Sequence, residues 1–284
     1  MRGMLSARRR QEQLRVGCSD RDLQDTIAAA IDGVPGFAVP AELPTQERRL
    51  AAGLASLAIG DREFSRALLQ HLHGSDYLLL VARYFLWSGS DGVLRAELPR
   101  IDRTLQQCEP FIELHELAIA LESIGAAAEA AAVRARCANA ARRLLPDWEA
   151  AGCHELPATD APDIVNAFLH TMLGVAPDAP RGRLRLRLCL PDTVQSLCVE
   201  NLRLGDALVL LQCSHAERHF SYVVEQIAGA MPVRLIFEPT FTRHISAVLI
   251  DDVPAQLALR PYRDRIVAPV QLMLDHQRVL RFMT

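Results

Sequence analysis

Three arginines alternate with leucines in residues 183–190, and their spacing could bind an anion. Arg183, Arg185 and Arg187 would share one face of a strand with period two, while the leucines would share the other face. A row of guanidinium groups suits a phosphate or a sugar, but charged side chains also cover an ordinary solvated sheet face. The sequence favours the solvated face and leaves a binding strip as the alternative.

A second group with chemical potential lies near the end of an apolar helix predicted over residues 76–87. Arg83, Tyr84 and Trp87 are amphipathic, and the rings of tyrosine and tryptophan can stack on the faces of sugars. Aromatic residues at helical spacing are also typical of a packed core. These three residues are candidate substrate-binding residues, with burial in the core as the alternative.

The composition excludes several kinds of chemistry. All 31 basic residues are arginine, so no lysine can hold pyridoxal phosphate as a Schiff base, and a Walker A loop would lack its lysine. The motifs of serine hydrolases, zinc proteases, dinucleotide-binding folds and EF-hands are absent from the sequence. The histidines and the seven cysteines show no metal-ligand spacing. We expect no cofactor, no metal, and reduced thiols rather than a disulfide framework.

The overall charge and hydropathy describe a soluble chain. The net charge of −3 and the pI near 6.3 provide no general attraction to nucleic acid or to an anionic membrane. The basic start of the sequence lacks the apolar stretch of a signal peptide, and no segment approaches the roughly 20 apolar residues of a membrane span. We expect a cytoplasmic protein that binds neither nucleic acid nor membrane.

Helices must position the first half of these residues. Residues 1–18 form a basic leader that can be disordered, and residues 19–175 form a domain of helical hairpins. Within that domain, Gly60, Gly89 and Gly125 recur about every thirty to thirty-five residues, which is the length of one hairpin. This repeat predicts antiparallel hairpins packed side by side, and Ser19 or Asp20, Asp61 and Asp91 are predicted helix N-caps.

Strands must position the second half. Gly174 ends the last predicted helix, and the prolines that follow prevent it from resuming. Residues 181–284 then show about eight short alternating segments separated by turn residues, which predicts an antiparallel β-sandwich or barrel. Asp251–Asp252 and Asp275–His276 are predicted hairpin turns, and neither loop clusters the several oxygens that calcium takes.

The order of these pieces resembles the C-terminal portion of glycoside hydrolases with an (α/α) toroid of six hairpins, the glycogen-debranching, glucoamylase and trehalase-like groups. Five segments carry the likeness: ARYFLWSGSDGVLRAELPRI (82–101), LAIALESIG (117–125), LGVAPDAPRGRLRLRLCLP (173–191), VENLRLGDALVLL (199–211) and GAMPVRLIFEP (229–239). The family usually has Thr-Gly-Asp where this chain has SGSD, and often a tryptophan where Asp192 follows the last Leu-Pro. The resemblance implies a mixed α plus β fold, a partial toroid of helical hairpins followed by an antiparallel β-sandwich.

The resemblance also implies hydrolysis of a glycosidic bond by two carboxyl groups, one protonating the leaving oxygen and the other activating water or attacking the sugar. Members of the family often place a functional carboxyl in a late loop. The candidates here are Glu155 and Asp160, in the loop GCHELPATDAPD (152–163). Neither is fixed by a motif, and Asp160 can equally cap the next helix. The hairpins that usually carry the general acid are not found upstream.

Two functions therefore stand side by side. The first is a glycoside hydrolase-like, carbohydrate-active protein, partial or catalytically reduced, with an oligosaccharide as ligand. A partner chain, or an N-terminal half of a longer protein, would then supply what is missing. The second is a non-catalytic interaction protein that uses helical hairpins and a docking sandwich. The sequence leaves open whether the chain is an enzyme.

Overall fold

Helices occupy the first half of the chain and strands the second in the computed structural model, which describes residues 13–34, 43, 45–109, 114–137, 160–262 and 264–284. The change from helix to strand follows Leu173, as the change in apolar period predicts. The predicted mixture of α and β structure is confirmed. Of the helices described, none is both long and apolar enough to cross a lipid bilayer.

The ends of the helices follow local sequence signals. Asp20, Thr45 and Asp61 each accept a hydrogen bond from a backbone N–H in the first turn of the next helix. The N-cap predicted at Asp91 is wrong, because Ser90 holds that position and Asp91 is the first helical residue. The described helices are α1 (Arg21–Gly33), α2 (Gln46–Ile59), α3 (Arg62–Leu69), α4 (Gly74–Ser88), α5 (Asp91–Gln107), α6 (Leu114–Ser123), α7 (Ala127–Cys137) and α8 (Ala161–Ala167), which continues as a π-helical turn, Phe168–Met172.

The helices pack in two rows. In the first row, α2 lies between α8 and α4, and α4 lies between α2 and α6. In the second row, α3, α5 and α7 each pack on the helix that precedes them in the chain, while α1 packs on α8. Successive helices therefore form hairpins whose first members stand side by side. This is the packing that the spacing of the glycines predicts.

The strands form three sheets with seven, three and four members in the described residues. Their strand orders are β1-β4-β5-β6-β14-β9-β10, β11-β12-β8 and β13-β7-β3-β2. The strands are β1 (Arg15–Cys18), β2 (Val175–Asp178), β3 (Arg183–Leu186), β4 (Ser196–Leu204), β5 (Ala207–His215), β6 (His219–Ala228), β7 (Val233–Phe237), β8 (Thr240–Phe241), β9 (Ala247–Ile250), β10 (Val253–Pro254), β11 (Arg260–Tyr262), β12 (Arg265–Val267), β13 (Val270–Leu274) and β14 (Arg278–Met283).

Two pairings correct the predicted strand half. The end of the predicted leader forms β1, an edge strand that pairs with β4 and places Val16 opposite Val199. Strand β3 runs parallel to β7, with Leu184 opposite Leu235, although an antiparallel module was predicted. The parallel pair forms because β4, β5 and β6 carry the chain through the seven-stranded sheet before it returns as β7, which is the long crossover that parallel strands need.

Of the two hairpin turns predicted from the sequence, one forms and one does not, and the proline-containing segment after the last helix forms a strand. Asp251 and Asp252 form the predicted hairpin turn with left-handed φ angles of 51° and 64°. Asp275 and His276 do not form a hairpin, because β13 and β14 belong to different sheets. The segment around Pro177, predicted as a loop, forms β2, where the missing N–H is tolerated at the edge of the sheet.

One apolar core runs through the helices and the sheets. Between the sheets, the ring of Tyr222 lies 5.1 Å from that of Phe237, and the ring of Phe241 lies 5.0 Å from that of Phe282. Between helices and sheets, the backbone N–H of Gly205 donates to the carbonyl of Trp87 at 2.8 Å. The turn between β4 and β5 therefore holds the end of α4, and the two halves of the chain share a packed boundary.

Candidate functional site

A charged pair interrupts the apolar row of helices where α4 packs against α6. Arg83 on α4 forms an ion pair with Glu116 on α6, and their side chains are only 17% and 15% exposed. His170 on the π-helical turn lies close enough to Arg83 for the two to interact electrostatically. We call Arg83, Glu116 and His170 the polar cluster.

The helices position this cluster by simple periodicity. Every residue of α4 from Asp76 to Trp87 is buried except Arg83, which is half-buried. Helix α6 packs along α4 and turns Glu116 toward that arginine. The π-helical turn after α8 places His170 beside the buried apolar residues Phe168, Leu169 and Met172. Single π-helical turns are uncommon and occur frequently at functional sites.

The surroundings of His170 keep its imidazole neutral. Burial lowers the pKa of His170 from its ordinary value of 6.5 to about 3, and the positive charge of Arg83 acts in the same direction. A hydrogen bond with the backbone of Val175 opposes this shift. A neutral imidazole can both donate and accept a hydrogen bond. Together, the cluster holds a guanidinium donor, a carboxylate acceptor and a neutral imidazole, one ring nitrogen of which is already bound to the backbone of Val175.

The pKa of His170 predicts how the free energy of unfolding depends on pH. The unfolded chain binds a proton near pH 6.5 and the folded chain only near pH 3, so this residue lowers stability as the pH falls below 6.5 and has no effect well above it. Between pH 7 and pH 5 the loss amounts to at most about 2 kcal/mol. We expect His170→Gln to reduce the pH dependence of urea unfolding over this range. The exposed His73, changed to glutamine, serves as the control, and equal pH dependence in both variants would contradict the assignment.

The three predicted substrate-binding residues lie in different environments. Arg83 belongs to the polar cluster. Tyr84 and Trp87 are 6% and 2% exposed and pack in the core, so neither ring has an open face on which a sugar could stack. Helical spacing alone does not distinguish a ring buried in the core from a ring on which a sugar can stack. Both aromatic residues are buried, which is the alternative given above.

The two predicted catalytic residues also separate. Glu155 lies outside the described residues, and its role stays a prediction. Asp160 is the N-cap residue of α8 and forms an ion pair with Arg48, with the carboxylate side chain 42% exposed. Since Asp160 and His170 lie at opposite ends of the helical segment, about 15 Å apart along its axis, Asp160 does not join the polar cluster.

Sequence reasoning missed Glu116 and His170 as members of one site. Both stand in largely apolar helical segments, LHELAIAL and NAFLHTML, where a polar residue among apolar ones is the only signal that could have found them. The HE pair at residues 115–116 lacks the second histidine of a zinc motif. Nothing in the spacing along the chain links Glu116 to Arg83 or to His170.

Cysteine and metal chemistry receive little support from the described residues. They contain no group of three or more histidine, cysteine or acidic side chains that could hold a metal ion. Burial raises the pKa of the thiols of Cys18, Cys198 and Cys213, which makes them poor nucleophiles. Cys189 is disulfide-bonded, in contrast to the expectation of reduced thiols.

The fold has a counterpart among solved structures. The α-L-rhamnosidase from Dictyoglumus thermophilum superimposes on 96% of this chain with a TM-score of 0.62 and 10% sequence identity. The match covers 50% of the rhamnosidase chain, so this chain spans half of that protein's length. No protein-family model and no curated protein sequence matches the chain. At this identity the likeness concerns the fold alone, which is similar to that of a glycoside hydrolase.

Proposed function

We propose that this chain is a glycoside hydrolase-like, carbohydrate-active protein. The observation that carries the proposal is the superposition on an α-L-rhamnosidase, because it spans both the helical half and the strand half in one arrangement. In this proposal the row α8, α2, α4 and α6 represents the inner helices of a partial (α/α) toroid, and the sheets represent the β-sandwich that follows it. A cytoplasmic location remains part of the proposal.

The polar cluster is the proposed contact with an oligosaccharide. Sugar hydroxyls both donate and accept hydrogen bonds, so a guanidinium, a carboxylate and a neutral imidazole at one place match their chemistry. The low exposure of Arg83 and Glu116 restricts contact to a narrow opening rather than a broad surface. A single sugar unit or the end of a chain fits this arrangement better than the middle of a long polymer.

Hydrolysis needs two carboxyl groups on either side of the bond, and neither Glu116 nor Asp160 is free to supply one. Glu116 is bound by Arg83, and Asp160 is bound by Arg48. Glu155 is therefore the proposed catalytic carboxyl within this chain. The second carboxyl would come from a partner chain or from an N-terminal half, since the chain spans half of the rhamnosidase.

Hydrolysis and binding are tested separately. Turnover of nitrophenyl α-L-rhamnoside and of neutral α-glucosides is measured for the native chain, for Glu155→Gln and for Asp91→Asn, a control in an exposed surface pair. We expect Glu155→Gln to abolish turnover while the circular dichroism spectrum is unchanged, because the amide cannot replace the carboxyl as acid, base or nucleophile. Turnover equal to that of the native chain would remove Glu155 from the proposal.

Binding is measured by calorimetry with the same sugars. We expect Glu116→Gln and Arg83→Met to weaken binding at least tenfold relative to the Asp91→Asn control, because a lost hydrogen bond to a charged group is worth about 1.5 kcal/mol or more. Unchanged affinity in both cluster variants would contradict a sugar site at this place.

A non-catalytic interaction protein is the second candidate. The observations that favour it are the ion pair that occupies Asp160 and the burial of Tyr84 and Trp87, since these predicted catalytic and stacking groups are then engaged within the chain. Absence of both turnover and sugar binding, combined with capture of a specific protein partner in a pull-down experiment, would favour this candidate over the first.

A further inference from the structure

An arginine in the strand half is buried without a counter-charge. Arg265, at the start of β12, is 5% exposed. Its Nη1 donates to the carbonyl of Leu190 at 3.1 Å. Its Nε and Nη2 are also buried, and neither has a hydrogen-bond partner among the described residues. Arginine keeps its proton in proteins, so this group cannot avoid the cost of burial by becoming neutral.

The two free donors of Arg265 form one edge of the guanidinium group. Nε–H and Nη2–H point in nearly the same direction, and this edge matches the two oxygens of a carboxylate in a bidentate pair. The same chain provides an example, because Nε and Nη2 of Arg185 donate to the two carboxylate oxygens of Glu238 at 2.9 and 3.0 Å. Arg265 presents the equivalent edge with no carboxylate on it.

The neighbours of Arg265 extend the positive charge toward the surface. Tyr262 lies opposite Arg265 in the β11–β12 pair, and directly opposed residues of a pair project to the same face of the sheet. The guanidinium carbon of Arg187 lies 4.7 Å from the centre of the Tyr262 ring. Arg187 is 32% exposed, so its end of this group reaches the surface, whereas Arg265 itself is buried.

The charges of this region do not balance. Arg185 and Arg187 already share the carboxylate of Glu238, which is 11% exposed. Arg265 adds a third guanidinium group, and the described ion pairs of this group place only the carboxylate of Glu238 among the three. A buried, unpaired charge is costly, and the cost falls when an anion with matching geometry pairs with it.

We propose that Arg265, with Tyr262 and Arg187 beside it, forms a binding site for a carboxylate-bearing ligand. The carboxylate sits on the Nε–Nη2 edge of Arg265. The rest of the ligand extends past Tyr262 toward Arg187 and the arginine row of β3. The carboxylate can belong to a uronic acid of a saccharide or to a small organic acid. The site lies in the strand half and does not depend on the polar cluster or on hydrolysis.

The test compares matched ligands on the full-length chain by calorimetry and thermal unfolding. Galacturonate and galactose share a ring and differ in the carboxylate, while malonate carries carboxylates without a sugar. We expect galacturonate to bind saturably and raise the melting temperature, and galactose to do neither. Equal binding of malonate would identify small organic acids as the source of the carboxylate, and binding of galacturonate alone would identify a uronic acid. Equal effects of galactose and galacturonate, or no binding by either acid, would overturn the proposal.

Two variants locate the binding. Arg265→Met removes the guanidinium group while keeping an unbranched apolar side chain. Replacing a buried unpaired charge by such a residue commonly preserves or raises stability. Arg260→Met makes the same change at an exposed arginine of the same hairpin. We expect Arg265→Met to weaken galacturonate binding at least tenfold and Arg260→Met to leave it unchanged. If Arg265→Met fails to fold, galacturonate affinity is measured for Arg187→Gln instead, and we expect this variant to bind more weakly than the native chain. The proposal would be overturned if Arg265→Met bound galacturonate as tightly as the native chain does. If Arg265→Met does not fold, the same result for Arg187→Gln would overturn it.

Discussion

Gly174→Ala is expected to lower the free energy of unfolding by about 2–5 kcal/mol. Gly174 has a left-handed φ of +55°, and a Cβ atom there would lie 2.5 Å from the carbonyl oxygen of Arg187. The backbone cannot move away freely, because the N–H of Arg187 donates to the carbonyl of Gly174 at 3.3 Å. The substitution therefore combines an unfavourable φ with a collision at the junction of helices and sheets. Urea unfolding followed by circular dichroism measures the loss.

Gly182→Ala separates these two causes. Gly182 has a similar φ of +58°, but the nearest atom to an added Cβ, the carbonyl oxygen of Pro232, lies 4.0 Å away. This variant should lose only the cost of the left-handed conformation, about 1 kcal/mol. Equal losses of unfolding free energy in the two variants would mean that Gly174 is not closely packed against Arg187. The described contact between the end of the last helix and the residue after β3 would then be wrong.

A fragment that ends at Val175 is expected to aggregate. In the full chain, Phe168 and Leu173 are completely buried, and Trp87 is 2% exposed in a core shared by helices and sheets. Removal of the strands exposes the apolar end of α4 and of the π-helical turn, and large exposed apolar patches promote association. The fragment also loses the hydrogen bond from Gly205 to the carbonyl of Trp87.

Light scattering and near-ultraviolet circular dichroism test this expectation. The full chain, measured at the same concentration, is the control and should show a fixed tryptophan signal and a single cooperative transition. The fragment should scatter strongly and lose that signal. A monomeric fragment with its own cooperative unfolding transition would contradict the shared core and show two independent modules.

The sequence by itself determined the local elements of this protein. Apolar residues at helical spacing predicted the helices, and short polar side chains predicted caps such as Asp20 and Asp61. Alternation of arginine and leucine predicted the strand that begins at Arg183, with its leucines buried and its arginines at the surface. These features depend on hydrogen bonds and side-chain periods within a few residues, so the chain encodes them locally.

Only the tertiary structure decided which distant segments meet. It paired β1 with β4, made β3 parallel to β7, and buried Trp87 where the sequence allowed a sugar platform. It also brought Arg83 to Glu116 and left one edge of Arg265 unpaired, although both arginines look like ordinary charged residues in the sequence. Burial and partner are properties of the packed core, and many side chains, far apart in sequence, decide them together. Arg83, Glu116 and Arg265 therefore owe their environments to the packed structure, and local patterns could not distinguish them.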